Sequence, residues 1–193
     1  MKCLAIAAAI ACACLKFGDA AAQDNHPAPY FVELAAGKAS VAASVFDDDS
    51  TQWSGRLGYR WGVFGVDAGY ADLGGFNNRV VFGDTPVDMR LDLSGWTLGA
   101  NLRLPLREGS NFTARSGVFG WKSSGSGVPA GEQGPVLTEL PDESGTAWYA
   151  GIGFSFDFGA NTSVGVNLDR YMAKSILSDF HINTYSVSLE QRF

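Results

Sequence analysis

Apolar and polar residues alternate along the last stretch of the chain, residues 181–193. One set of alternate positions is mainly apolar and ends on an aromatic residue: Tyr185, Val187, Leu189, Gln191 and Phe193. The intervening positions are all polar: Thr184, Ser186, Ser188, Glu190 and Arg192. A period of two places each set on its own face of a β-strand. The stretch is therefore predicted to be a strand with one apolar and one polar face.

The same alternation recurs along the chain and predicts seven earlier strands. They span residues 30–37, 53–61, 63–73, 87–104, 111–122, 148–157 and 163–171. The predicted connections alternate between long and short, and the long ones are 38–51, 74–86, 123–146 and 174–180. An even number of antiparallel strands can close into a barrel that has no free edge. The expected fold is therefore all-β, an eight-stranded antiparallel up-and-down barrel.

Two strands depart from strict alternation. In the fourth, the apolar positions change phase at Ser94–Gly95, which predicts a β-bulge there. In the fifth, Phe119 and Trp121 fall on the polar face. The end of the fifth strand is therefore expected either to rise out of a membrane or to contain a register slip.

Residues 1–22 have the pattern of an export signal, and residues 23–193 form the predicted barrel domain. A short positive start precedes an apolar stretch, and Ala20–Ala22 supplies small residues for cleavage. The three cysteines all lie in this segment, so the mature chain is expected to lack disulfides and thiolate metal sites. Lipoprotein cleavage before Cys12 or Cys14 is the alternative.

The charge of the mature chain argues against nucleic acid as a partner. Without residues 1–22 the chain carries 12 basic and 19 acidic residues, and an acidic surface repels phosphate backbones.

The mature chain contains no further apolar stretch of about twenty residues, the length that a membrane-spanning helix needs. If the mature chain enters a membrane, it must do so as a closed barrel.

The alternation alone does not decide which face of the barrel is outside. A soluble barrel would turn its apolar face inward, but an eight-stranded interior has little room for large aromatic side chains. An outward apolar face also places aromatic residues in two rings, as in barrels exposed to lipid. One ring holds Tyr59, Trp61, Phe64, Phe112, Phe156 and Phe193, and the other holds Trp53, Tyr70, Trp148 and Tyr185. A transmembrane barrel is the prediction.

Several segments, taken in their order along the chain, resemble the OmpA-like transmembrane β-barrel family. They are Arg56–Trp61, Ala68–Gly74, Trp96–Ala100, Gly117–Trp121, Asn167–Tyr171 and the closing Tyr185–Phe193. The resemblance implies a location in the cell outer membrane and a structural, membrane-stabilising or surface-adhesion role, with weak pore activity as a variant. It also implies that the barrel-assembly machinery recognises the closing strand through Tyr185, Leu189 and Phe193.

The expected partners follow from that location. They are outer membrane lipids and lipopolysaccharide, and an extracellular ligand contacted by the long connections 38–51 and 123–146. The chain is expected to act as a monomer without a cofactor or metal. The acidic run Asp47–Asp49 is expected to be solvated, with a divalent-cation site as the alternative.

The polar inner face is predicted to collect ten charged residues as a lumen charge cluster. They are Glu33, Arg56, Arg60, Asp67, Arg103, Arg115, Asp157, Asp169, Glu190 and Arg192. Charges inside a narrow barrel persist only when they are paired. Two hypotheses remain open: a polar plug that stiffens the barrel, and a salt-bridge gate that opens a small water path.

A lipid A-modifying enzyme is the alternative function, because some small outer membrane barrels place Ser and His on their outer face. The chain has two histidines, His26 in the N-terminal segment and His181 at the start of the closing strand. A lipid A deacylase would place Ser two residues after the His, where this chain has Asn183. Ser178, Asp179 and His181 are too close in sequence for triad geometry. The chain is therefore predicted not to be an enzyme.

Overall fold

The computed structural model contains eight β-strands that form one closed antiparallel barrel, which confirms the predicted fold. It describes residues 28–42, 47–82, 85–107, 109–129, 138–174 and 179–193. The strands are β1 (Tyr30–Ala42), β2 (Asp47–Trp61), β3 (Phe64–Phe82), β4 (Thr85–Pro105), β5 (Ser110–Pro129), β6 (Thr138–Phe158), β7 (Thr162–Lys174) and β8 (Asp179–Arg192). Residues 1–22, the predicted export signal, lie outside the described ranges. Among the described residues, no helix is long and apolar enough to cross a membrane.

Pairing between β1 and β8 closes the barrel, and Phe31 lies opposite Arg192 at this seam. Following paired residues once around the wall from Phe31 leads back to Val41, ten residues further along β1. An offset of this size means that the strands are steeply tilted, by about 40° to the barrel axis. Eight tilted strands leave an interior that side chains can fill.

The outer surface has an apolar belt bounded by two aromatic rings. We call the two ends of the barrel the turn end, where Trp61–Phe64, Pro105–Ser110 and Phe158–Thr162 connect strands, and the extended end opposite it. Exposed aromatics nearer the turn end are Tyr30, Tyr59, Trp61, Phe64, Phe154, Phe156, Phe158 and Phe193, and those of the extended-end ring are Trp53, Tyr70, Trp96, Trp148 and Tyr185. Most of the exposed Leu, Ile and Val residues lie between the rings, whereas Leu106 lies in the turn after β4. This surface suits lipid and excludes the soluble-barrel alternative.

Three of the predicted long loops were wrong over most of their length. Residues 38–42 and 47–51 pair in the β1–β2 hairpin, and residues 74–82 and 85–86 belong to the β3–β4 hairpin. Residues 123–129 and 138–146 likewise belong to β5 and β6. Polar and glycine-rich composition suggested loops, but backbone pairing continues beyond the apolar belt because the strands already run side by side.

The predicted bulge at Ser94–Gly95 was also wrong. The β4–β5 register is continuous through these residues, and the irregularity lies on the facing strand, between Asp72 and Gly74. Gly74 adopts φ +80°, a conformation that favours glycine, and its N–H donates to Asp72 Oδ1 at 2.9 Å. Leu93 therefore keeps the inward phase of β4 and is buried, instead of facing outward.

The end of β5 contains no register slip at Phe119 or Trp121. Phe119 pairs with Thr97 and Ala147, and Trp121 pairs with Gly95 and Gly145, both in continuous register. Both side chains are buried inside the barrel. The inner face of β5 therefore changes from polar to apolar towards the extended end.

Replacing Leu57 by Arg tests the assignment of the outer surface to lipid. Leu57 is 58% exposed and lies between Trp53 and Trp61 on the outer face of β2. A charge near the middle of the apolar belt is expected to lower the free energy of unfolding by about 2–4 kcal/mol. The measurement is urea unfolding in phospholipid vesicles, followed by tryptophan fluorescence. Thr51→Arg, on the same face but beyond Trp53, is the control; equal small effects of both would contradict a lipid-facing belt.

Candidate functional site

All ten charged residues predicted for the lumen point into the barrel. Each occupies an inward position of its strand. Nine of the ten form two ion-pair groups, and the tenth, Asp67, is bound by the amide of Asn101. Arg56, Asp67, Arg103, Arg115, Asp169 and Glu190 are among the most buried of the ten. Their positions follow directly from the period-two pattern, because every inward residue of a strand shares one face.

The central group joins four strands through two arginines and two carboxylates. Arg115 forms a bidentate contact with Asp169, with Nε–Oδ1 at 2.6 Å and Nη2–Oδ2 at 2.7 Å. Glu33 Oε1 accepts from Arg56 at 2.9 Å and from Arg115 at 3.3 Å. Arg56 Nη2 lies 3.7 Å from Asp169 Oδ2. Because each charge has an opposite partner, the group can remain ionised although it is buried.

The second group lies nearer the turn end and contains three arginines and two carboxylates. Arg60 holds both oxygens of Glu190, at 3.2 and 3.1 Å, and Arg103 also pairs with Glu190. Asp157 Oδ1 accepts from Arg103 at 2.6 Å and from Arg192 at 2.8 Å. Arg103 therefore ties β4 to both β6 and β8 across the lumen.

Asn101 connects the second group to Asp67. Its Oδ1 accepts from Arg60 Nε at 3.1 Å, and its Nδ2 donates to Asp67 Oδ2 at 2.7 Å. Asp67 Oδ1 also accepts from the Tyr149 hydroxyl at 3.4 Å. We call these five arginines and five carboxylates the charge network; their net charge is zero when all are ionised.

Inward glycines provide the space that the larger groups occupy. A Cβ added to Gly58 would lie 2.3 Å from the Phe31 ring, and the Arg60 guanidinium lies 4.1 Å from the centre of the same ring. This is cation–π distance. The absence of a side chain at Gly58 therefore lets Phe31 and Arg60 stack inside the narrow lumen.

Between the charge network and the extended end, the interior contains a cluster of buried apolar side chains. We call this set the apolar layer: Ala39, Val41, Ala71, Leu73, Phe76, Leu93, Phe119, Trp121, Tyr149, Tyr171 and Ile182. Phe119 contacts Tyr171 edge-on with ring centres 4.9 Å apart, and Tyr149 stacks on Tyr171 at 5.6 Å. Phe119 and Tyr149 are 0% exposed, so side chains close the lumen at this level.

The apolar layer was missed as a unit by the sequence interpretation. Its signal was the inward phase of Phe119 and Trp121, which was interpreted as a departure from the barrel pattern. Leu73 lies within the register shift on β3 and Phe76 lies after it, so a strict period of two does not place both inside.

The other predicted sites have fewer contacts. Tyr185 is exposed on the outer face of β8, and Leu189 is half-buried on the same face. Phe193, directly after β8, is also exposed. His181 is half-buried, and its Nδ1 has no hydrogen-bond partner among the described residues. Ser178 lies outside the described ranges. Within those ranges, no group of three or more His, Cys, Asp and Glu residues is arranged to hold a metal ion.

Comparisons with known proteins agree with this geometry. Residues 5–193 match the family model described as outer membrane protein beta-barrel domain. No protein in the search of curated sequences matches significantly.

Three solved structures share the fold at low sequence identity. Neisserial surface protein A has a TM-score of 0.58 at 14% identity, covering 85% of this chain and 97% of its own. Ail, the attachment invasion locus protein of Yersinia pestis, in complex with the heparin analogue sucrose octasulfate, has a TM-score of 0.57 at 12% identity, covering 87% and 100%. The outer membrane protein OprG from Pseudomonas aeruginosa has a TM-score of 0.51 at 11% identity, covering 87% and 97%.

Replacing Arg115 by Leu tests the cohesion of the charge network. The change leaves Asp169 without its bidentate partner and is expected to lower the free energy of unfolding by about 3–5 kcal/mol. Arg115→Leu combined with Asp169→Leu is expected to recover part of that loss, because no buried carboxylate then loses its main partner. Urea unfolding in vesicles measures both variants.

The exposed pair Arg90–Asp92, at 3.2 Å, supplies the control for this experiment. Arg90→Gln is expected to cost about 1 kcal/mol or less, since solvent screens exposed pairs. If Arg115→Leu costs no more than Arg90→Gln, the network does not stabilise the barrel.

Proposed function

Because this chain belongs to the outer membrane protein β-barrel family, we propose that it is a sealed barrel that presents paired hairpins at the cell surface. Its role in this proposal is structural or adhesive, and neither catalysis nor bulk diffusion through the lumen is part of it. The barrel lies in the outer membrane, with the turn end towards the periplasm and the extended end outside the cell, the usual asymmetry of such barrels.

The observation that carries the proposal is the extension of four neighbouring strands beyond the apolar belt. Strands β3–β6 contain 19–21 residues, whereas β1, β7 and β8 contain 13 or 14. On β4, the part beyond Trp96 runs from Thr85 to Gly95. At about 3.3 Å per residue, this part measures roughly 35 Å along the strand. Such a length is far more than membrane anchoring needs, so the extension provides a surface for a partner.

The filled interior supports presentation rather than transport. A solute entering from the turn end would first meet the charge network and then the apolar layer. Arg103 and Arg115 span the first barrier, and Phe119 and Tyr149 are fully buried in the second. A continuous water path would require both barriers to rearrange.

One of the solved structures with a similar fold, Ail, supports the adhesive form of the proposal. Ail is called an attachment invasion locus protein, and its structure was solved with a heparin analogue. The likeness to Ail shows the fold, and the transfer of an adhesive role to this chain is our inference. The extended hairpins are the part of this chain that could carry it.

Ion conductance across planar lipid bilayers tests the sealed lumen. The intact protein is expected to give no steady current above the lipid background, because two layers of side chains fill the barrel. A gel comparison of unheated and boiled protein shows that the same sample is folded, since a closed barrel migrates differently before boiling. Discrete openings of the folded protein at low voltage would favour the salt-bridge gate.

Shortening the hairpins tests their role in adhesion. Phe76 lies opposite Leu91, so residues 77–90 can be replaced by Asn-Gly, a two-residue hairpin turn. Gly125 lies opposite Leu140, which permits the same replacement of residues 126–139. Adherence of expressing bacteria to cultured epithelial cells and to immobilised heparin is expected to fall to the level of cells without the protein.

The gel shift serves as the control for both shortened variants. It is expected to be retained, because Phe76 and the pairing within the belt are unchanged. Full adherence by both folded variants would contradict the presentation of a ligand by these hairpins.

A further inference from the structure

An open groove lies on the outer surface of β6, β7 and β8. Its volume is about 370 Å³, and the outward side chains that line it are Ala150, Ile152, Leu168, Arg170, Asn183 and Tyr185. Small Ala150 lies among larger neighbours, which makes the depression. The groove is on the face that contacts the membrane, not in the lumen.

The groove crosses the boundary between the apolar belt and the headgroup region. Ile152 and Leu168 belong to the belt, and Tyr185 belongs to the extended-end aromatic ring. Arg170 and Asn183 lie opposite each other beyond this ring, towards the extended end. Aromatic rings mark the membrane interface, so Arg170 and Asn183 lie at the level of lipid headgroups.

A second cation adjoins the groove on the neighbouring strand. Lys38 on β1 pairs in register with Tyr185, and Ser40 pairs with Asn183. Lys38 and Arg170 are both exposed, and within the described part of the chain neither has a hydrogen-bond or ion-pair partner. The exposed cations Arg90 and Lys122 differ, since they pair with Asp92 at 3.2 Å and Asp142 at 3.0 Å. Asp49, opposite Ser40 on β2, lies at the edge of this surface.

We propose that this groove binds one molecule of lipid A, the phosphorylated glycolipid of the outer leaflet. An acyl chain occupies the apolar part beside Ala150, Ile152 and Leu168. Arg170 and Lys38 contact phosphate, and Asn183 and Ser40 supply hydrogen bonds to the sugar headgroup. A guanidinium suits phosphate because it donates two parallel hydrogen bonds. The extended end faces the leaflet that contains this lipid, which decides between lipid A and an inner-leaflet phospholipid.

This inference depends on the membrane position of the barrel and not on adhesion by the hairpins. The proposed lipid site and the extended β3–β6 hairpins share β6, but the site uses Ala150 and Ile152, whereas the shortened hairpin removes residues 126–139. Loss of adherence in the hairpin variants would leave it unchanged, and its failure would not affect them.

The site is tested by titrating the detergent-solubilised protein with diphosphoryl lipid A. Native mass spectrometry counts the lipid molecules bound to each protein. The intact protein is expected to retain one lipid A molecule in preference to phosphatidylcholine. Each membrane-surface cation contributes roughly 1 kcal/mol, so Lys38→Gln and Arg170→Gln should each weaken retention about fivefold. Lys122→Gln removes the same charge from a paired residue on β5 and should leave retention unchanged.

A second variant fills the groove without changing charge. Ala150→Phe is expected to lower retention of lipid A while the gel shift of the folded barrel is kept. Equal retention by the intact protein and the Lys38→Gln/Arg170→Gln variant would overturn the proposal. An equal loss in Lys122→Gln, displacement by phosphatidylcholine, or a second copy of the chain in place of the lipid would also overturn it.

Discussion

Hydrogen bonding of the backbone in hydrocarbon is the constraint on which the rest of this structure depends. A peptide group without a partner costs several kcal/mol in lipid, so a sheet can cross a membrane only if it has no edge. Pairing between β1 and β8 meets this requirement within the belt. Closure with eight tilted strands then sets the width of the interior, and that width limits what the inward residues can be.

The interior meets this limit in two different ways. Near the turn end, arginines and carboxylates neutralise each other across the lumen, with Asn101 between Arg60 and Asp67. Towards the extended end, aromatic side chains exclude water by packing against each other. Tyr149 links the charge network to the apolar layer. Its ring belongs to the apolar layer, and its hydroxyl donates a hydrogen bond to Asp67. Both layers fill space, so stability and closure of the lumen have the same cause.

Local alternation predicted the strands inside the membrane well, because each outward residue there must be apolar and each inward residue must fit the lumen. This explains why the inward positions of Glu33 and Arg103 could be assigned from sequence. The particular pairs could not be assigned, since the choice of Glu190 by Arg60 and Arg103 depends on the offset between strands around the closed wall. Beyond the belt lipid no longer selects the outer face, so paired strands such as residues 123–129 resemble loops. The register shift at Asp72–Gly74 was placed on the wrong strand for a related reason, because a change of phase in one strand does not reveal which partner bends.

The seam between β1 and β8 has a consequence for the order of folding. Phe31 and Arg192 are almost at opposite ends of the barrel sequence, so their pairing closes nearly the largest loop that the chain can form. The entropy of such a closure is unfavourable until contacts on both sides compensate for it. The hairpins have short connections and can pair early, whereas the seam requires both outer strands to be in place. Until then two edges remain open, and the chain needs protection from pairing with other strands before the wall is complete.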